Sequence, residues 1–218
     1  MVATKSLVTA ALLALVLAAS AAADEPTVRI DAGDQAWAAH SLPRASDFGF
    51  GWRGGMTRPT PPQSPSCPGF DPKSSDLVVT GHANASFGNP RAGVQVSVDA
   101  QILATADDVR KDFARTIRPE LVGCLEHQFR HSRERHVTVT VERLDFPRTG
   151  SLTAAYRATI VVRTPGGTAK VLSDLLFFGS GRLEYSMNVL APARYRPQLL
   201  PFEVDMARLL VRRGARSE

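Results

Sequence analysis

Val94, Val96, Val98, Ala100 and Ile102 alternate with Gln95, Ser97, Asp99 and Gln101, so one side of this stretch is apolar and the other polar. A period of two is that of a half-buried β-strand. Val137, Val139 and Val141 alternate in the same way with Thr138, Thr140 and Glu142. Leu152, Ala154, Tyr156, Ala158, Ile160 and Val162 form a third stripe, and Leu183, Tyr185, Met187 and Val189 a fourth. Leu77 to Thr80 and Val171 to Phe178 add two more strands, about six in all. Turn sequences at Thr164-Pro165-Gly166-Gly167 and Gly179-Ser180-Gly181 are short enough to favour antiparallel hairpins.

The period then changes. Phe113, Ile117, Leu121, Val122, Leu125 and Phe129 fall on one side of a helix that Thr105 or Asp107 can cap and that runs to about His131. Pro119 interrupts its ladder, which predicts a kink or two abutting helices. A last helix over about Phe202 to Arg213 turns Val204, Leu209, Leu210 and Val211 inward, and Gln35 to Leu42 fits a short helix. The fold class is therefore α+β: an α/β sandwich whose twisted, mainly antiparallel sheet is covered by a long helix and a C-terminal helix.

The N-terminal end changes where this domain is expected to work. Lys5, the apolar run Leu7 to Ala19 and the small residues Ala21-Ala22-Ala23 make the three-part pattern of a secretory signal peptide over residues 1–23. The alternative is a retained anchor, but a spanning helix needs about 20 strongly apolar residues, and the second half of this run is mostly alanine. No cysteine follows the run to carry a lipid, so the expectation is a secreted, extracytoplasmic protein with no stable membrane span after signal cleavage. Residues 24–66 read as a lead-in with a short helix and a Pro-rich connector, 67–213 as the α/β domain and 214–218 as a tail.

Export gives the two cysteines meaning. Cys67 and Cys124 read first as one disulfide, against two free thiols or a bond between molecules. Closing a loop of 57 residues contributes roughly 4 kcal/mol on the chain-entropy estimate. The net charge is +5, falling to +4 without Lys5, and the excess is carried by Arg. With no dense basic stripe, a nucleic-acid partner is not expected.

Candidate chemistry is sparse. His127 and His131 are four apart with His136 beyond, a spacing that raises metal binding. His127 points away from the Leu125 face, however, and Arg130, Arg133 and Arg135 would repel a divalent ion, so neither metal nor cofactor is expected. The same three arginines form a candidate anion-binding surface. Gly49-Phe50-Gly51-Trp52-Arg53-Gly54 has the G-x-G-x-x-G spacing without the strand and helix that motif needs, and reads as a loop with aromatic plugs. Asp107, Asp108 and Asp112 read as the acidic start of a helix, and Glu184 as a polar-face residue without a partner carboxylate. No G-x-S-x-G elbow is present, and Ser180 fits a turn, so no catalytic residue is assigned.

Several short motifs carry a family resemblance. Cys67-Pro68-Gly69, Asp76-Leu77-Val78-Val79-Thr80-Gly81 and the helix bearing Cys124 resemble the actinobacterial extracytoplasmic sensor-like domains of PknH-type receptor kinases and LpqN-type lipoproteins. Asp145-Phe146-Pro147, Ala155-Tyr156-Arg157, Gly179-x-Gly181-Arg182 and the closing helix follow in the same order, preceded by a similar lead-in over Ala38 to Trp52. The resemblance implies a PsbP-like sandwich and a binding or sensing role rather than catalysis. The kinase sensors carry four cysteines in two disulfides where this chain has two, and no kinase is present here. The leading expectation is a secreted, non-catalytic domain that binds a small molecule, lipid or cell-envelope component between sheet and helices. Phe113, Phe129, Tyr156 and Tyr185 are its candidate lining residues. A protein-interaction module using the basic surface and an envelope hydrolase are the alternatives.

Overall fold

The computed structural model describes residues 24–59, 65–131, 137–165 and 167–215. Residues 1–23, where a signal peptide is expected, the tail beyond Ala215, and Arg133, Arg135 and His136 lie outside the described residues. In chain order the elements are β1 (Thr27–Val28), α1 (Ala32–Ser41), β2 (Arg53–Thr57), β3 (Val78–Asn89), β4 (Val94–Leu103), α2 (Ala106–Thr116) and α3 (Glu120–His131). They continue with β5 (Val137–Arg143), β6 (Leu152–Thr164), β7 (Gly167–Ser180), β8 (Leu183–Pro192) and α4 (Arg196–Gly214). The strands form one open sheet in the order β1-β3-β4-β8-β7-β6-β5, with β2 also paired to β3. Only the β1–β3 pair is parallel.

The period-two stripes set which face goes where. Val96, Val98, Ala100, Ile102, Tyr185, Met187 and Val189 point to one face, where Ala38 of α1 and Leu199, Met206, Ala207 and Leu210 of α4 cover them. The opposite face is split. Its β5–β6 half buries Val139, Val141, Ala154, Tyr156, Ala158 and Ile160 beneath Leu121 and Leu125 of α3. Its β3–β4–β8 half presents Gln95, Ser97 and Ser186 to solvent, with α2 alongside.

Among the described residues eight strands stand where the pattern predicts about six. A two-residue β1 has no period to detect, and β2, Arg-Gly-Gly-Met-Thr, has no apolar alternation. Both lie in the lead-in, which with α1 is built into the sheet and its core. Gly81 permits this: a Cβ there would stand 2.4 Å from the Asp34 carbonyl oxygen, so α1 rests directly on β3.

Pro119 separates α2 from α3 as two abutting helices. Helix α4 begins six residues before Phe202, because Pro197 occupies its first turn, where no N–H is needed, and Pro201 sits on its exposed side. Val204 and Leu210 face inward as expected, whereas Leu209 and Val211 lie half-buried at the flank.

Cys67 and Cys124 form a disulfide with their Cα atoms 5.5 Å apart. It fastens the Pro-rich connector to α3, and Phe70 is buried beside it under the Arg118 guanidinium. Arg115 of α2 fixes the next segment with a two-pronged bond to Asp76, at 2.5 and 2.8 Å, and holds that carboxyl down at about 2. The connector is thereby held over one end of the sheet.

Candidate functional site

Strand register builds a polar floor on the half of the sheet that α3 leaves uncovered. Three cross-strand rows run through β3, β4, β8 and β7: His82-Gln101-Glu184-Gly179, Asn84-Asp99-Ser186-Phe177 and Ser86-Ser97-Asn188-Leu175. Nine of these twelve positions carry a polar side chain, on the face that in β5 and β6 is apolar. Phe177 and Leu175 supply an apolar edge.

This floor opens into two adjoining hollows that share Asp99, Phe177 and Ser186. One, about 260 Å³, is bounded by Thr57 at the end of β2, by Arg58 just beyond it, and by Ser86, Ser97 and Asn188. The other, about 80 Å³, runs under α2 between Asp112, Thr116 and Glu184, and is closed by Pro65 and Ser74 of the connector. Together they form a cleft with a wide polar mouth and a narrow acidic end.

The side chains of the floor are held in place. His82 Nε2 lies 2.6 Å from Asp99 Oδ2, and Asn84 donates to the same oxygen at 2.5 Å. The His82 backbone is fixed by Gln35 of α1, which donates to its carbonyl at 2.8 Å and accepts from its N–H at 3.1 Å. The Asn188 amide donates to Ser173 Oγ at 2.8 Å. Such a lattice arrests Asp99, a carboxylate at the junction of the two hollows, in one orientation.

At the narrow end the carboxyls of Asp112 and Glu184 meet. Asp112 Oδ1 and Glu184 Oε2 are buried without a donor to satisfy them. Burial, reinforced by the Asp112 charge, raises the Glu184 carboxyl well above the usual range, and burial raises Asp112 as well. Two buried carboxyls in contact favour a state in which the pair keeps one proton. Asp112 is thus not part of the solvated helix start that sequence suggested. That start is Asp107, which pairs with Arg110 at 3.0 Å and Lys111 at 3.1 Å. Nor is Glu184 without a partner carboxylate.

Three of the four aromatic candidates, Phe113, Phe129 and Tyr156, meet in one apolar cluster beneath α3, and Tyr185 lies apart from them. Tyr185 points to the opposite face, where it stacks on Phe178 with centroids 5.0 Å apart and donates to the Leu210 carbonyl at 2.9 Å. Tyr156 is buried beneath α3, edge-on to Phe177 at 6.3 Å, and Phe113 and Phe129 pack half-buried against the same cluster. Of the basic candidates, Arg130 is exposed, pairs with Glu126 at 3.2 Å, and reaches the Val139 carbonyl at 3.4 Å.

The pattern held a signal for the carboxyl pair. Val109, Asp112, Phe113 and Thr116 share one side of α2 at i, i+3, i+4, i+7, so Asp112 is a charge inside a buried stripe. A second buried charge cluster lies on the opposite face. There Arg157 grips Asp174 in a two-pronged bond, one arm at 2.7 Å, and Glu203 of α4 stands beside them. Glu203 is fully buried, both its oxygens lack a donor, and burial together with the Asp174 charge pushes its carboxyl up to about 9.

No protein-family model and no curated protein matches the chain.

Proposed function

We propose that this chain is an exported, non-catalytic binding protein that holds a small polar molecule in the cleft between α2 and the β3–β4–β8 face. The observation that carries the reading is the cleft itself: a solvent-open floor of serines, asparagines and Asp99, locked by hydrogen bonds and edged by Phe177. Binding sites combine a few fixed polar groups with an apolar wall in this way. At about 260 Å³ the main hollow falls below the usual ~300–1,000 Å³ of drug-sized sites, which suits a ligand of sugar or amino-acid size rather than a lipid chain.

A disulfide is compatible with an oxidising compartment outside the cytoplasm, and among the described residues no helix is long and apolar enough to cross a membrane. The motif likeness to extracytoplasmic sensor-like domains and their PsbP-like sandwich supports the same reading. The test is a thermal-shift survey with monosaccharides, amino acids and polyamines. One class should raise the melting temperature saturably, and the rise should vanish in Ser97→Trp, which fills the floor. No rise with any class overturns the proposal.

A second reading, an envelope hydrolase, takes up the Asp112–Glu184 pair as general acid and base. Turnover of an envelope polymer that is lost in Asp112→Asn would establish it in place of simple binding.

A further inference from the structure

The Phe50 ring is 95 % exposed, the largest exposure of any bulky apolar side chain among the described residues. It stands at the tip of a loop whose base is firm. On either side of it, Phe48 and Trp52 pack at 4.8 Å on each other, Phe48 on Phe87 at 4.5 Å, and Trp52 on Phe202 at 6.0 Å. Gly51, with φ +91°, makes the turn that throws Phe50 outward, and sits against the Asn89 side chain. The sequence suggested aromatic plugs here. Phe48 and Trp52 are plugs, but Phe50 is not.

Two further loops share this end of the sheet. Arg53 and the β3–β4 turn residues Pro90 and Arg91 line one hollow with Phe50 and Trp52. Arg194 donates to the Ala92 carbonyl at 3.2 Å and lies over the Tyr195 ring at 4.8 Å. The segments 49–53, 89–94 and 192–196 together contain Arg53, Arg91, Arg194 and Arg196 and no acidic residue. Arg196 is engaged by Glu142 at 3.4 Å, so Arg53, Arg91 and Arg194 make up the exposed cationic ring around the tip.

We infer that this end of the molecule docks on the surface of an anionic lipid bilayer, with Phe50 entering the headgroup–acyl boundary and Arg53, Arg91 and Arg194 meeting phosphate. The choice of a bilayer rests on shape and charge. Phe50 is convex and nearly free of its own protein, so a partner must yield around it, as a lipid surface does, or offer a matching pocket. Half-buried Trp52 and Tyr195 stand behind it, the residue types that favour the membrane–water boundary. Arginines without acidic neighbours add attraction to anionic headgroups, and that attraction falls with salt. The tip uses none of the residues that bound the polar cleft, and the inference is independent of what the cleft binds.

The test uses the full chain and vesicles of phosphatidylglycerol with phosphatidylcholine, beside vesicles of phosphatidylcholine alone. In a Phe50→Trp variant, brominated acyl chains should quench the added emission on the anionic vesicles and not on the neutral ones. Adding Arg53→Glu and Arg91→Glu should weaken that quenching at least tenfold, while circular dichroism stays unchanged. Residues 1–23 are common to all variants, so the differences report the tip alone. Quenching that is absent, equal on both vesicle types, or untouched by the charge reversals overturns the inference, and a pull-down of one protein through Phe50 without lipid would assign the tip to a protein partner instead.

Discussion

The carboxyls of Asp112 on α2 and Glu184 on β8 meet at the closed end of a polar cleft, each with a buried oxygen that has no donor. Both carboxyls are raised by burial, so the folded protein keeps a proton that the unfolded chain releases at ordinary carboxyl values. A raised carboxyl contributes stability fully at pH below its unfolded value and loses it as pH climbs toward the folded one. Urea denaturation should therefore show stability falling as pH rises above the ordinary carboxyl range. Asp112→Asn, which keeps a hydrogen-bonding partner and removes the charge, should flatten that fall. An unchanged slope would mean that the pair keeps no proton.

The opposite face makes the same point with a stronger shift. Burial and the Asp174 charge move Glu203 from 4.5 to about 9, so it is protonated at neutral pH beside an Asp174 that Arg157 already holds. Glu203→Gln preserves a donor toward Asp174 and should raise stability at pH 8, by on the order of 2 kcal/mol, with less effect at pH 4. Arg157→Met removes the cation and leaves Asp174 buried beside Glu203, so it should cost about 3–5 kcal/mol. Denaturant midpoints at the two pH values check both.

The disulfide ties the cleft to the compartment. Pro65 and Ser74, which wall the narrow end, lie on the connector that Cys67 fastens to Cys124. The Cys67→Ser/Cys124→Ser variant should lose up to roughly 4 kcal/mol of stability. It should also bind cleft ligand more weakly than the parent while keeping the Phe50 tip intact. Equal denaturation of oxidised and reduced protein would remove the connector from the account.

Strand stripes, the break at Pro119 and the cysteine pair were legible in the sequence because each rests on local chemistry. A period of two, a missing N–H and a lone pair of cysteines need no knowledge of the fold. Strands β1 and β2 were not legible: a two-residue strand and a Gly-Gly stretch gain their pairing from β3, which is a tertiary effect. The cleft was missed because its polar rows look like an ordinary solvent face in every strand, and only β3–β4–β8 register places Asn84, Asp99 and Ser186 side by side. Three acids set on apolar helix faces were the readable clue. Asp34 shares a helix face with Ala38 and Leu42, Asp112 with Val109 and Phe113, and Glu203 with Leu199, Met206 and Leu210. A carboxylate inside an apolar stripe has to find a partner, as Asp34 does in Arg182 and Thr80.

The most direct measurement of the central claim is native mass spectrometry of protein purified from its exported fraction, with parent and Ser97→Trp compared side by side. The parent should carry one small polar molecule and the filled-cleft variant should emerge without it, both with the Cys67–Cys124 bond formed. A parent that emerges empty, or a molecule retained equally by Ser97→Trp, would contradict a ligand site on the β3–β4–β8 face.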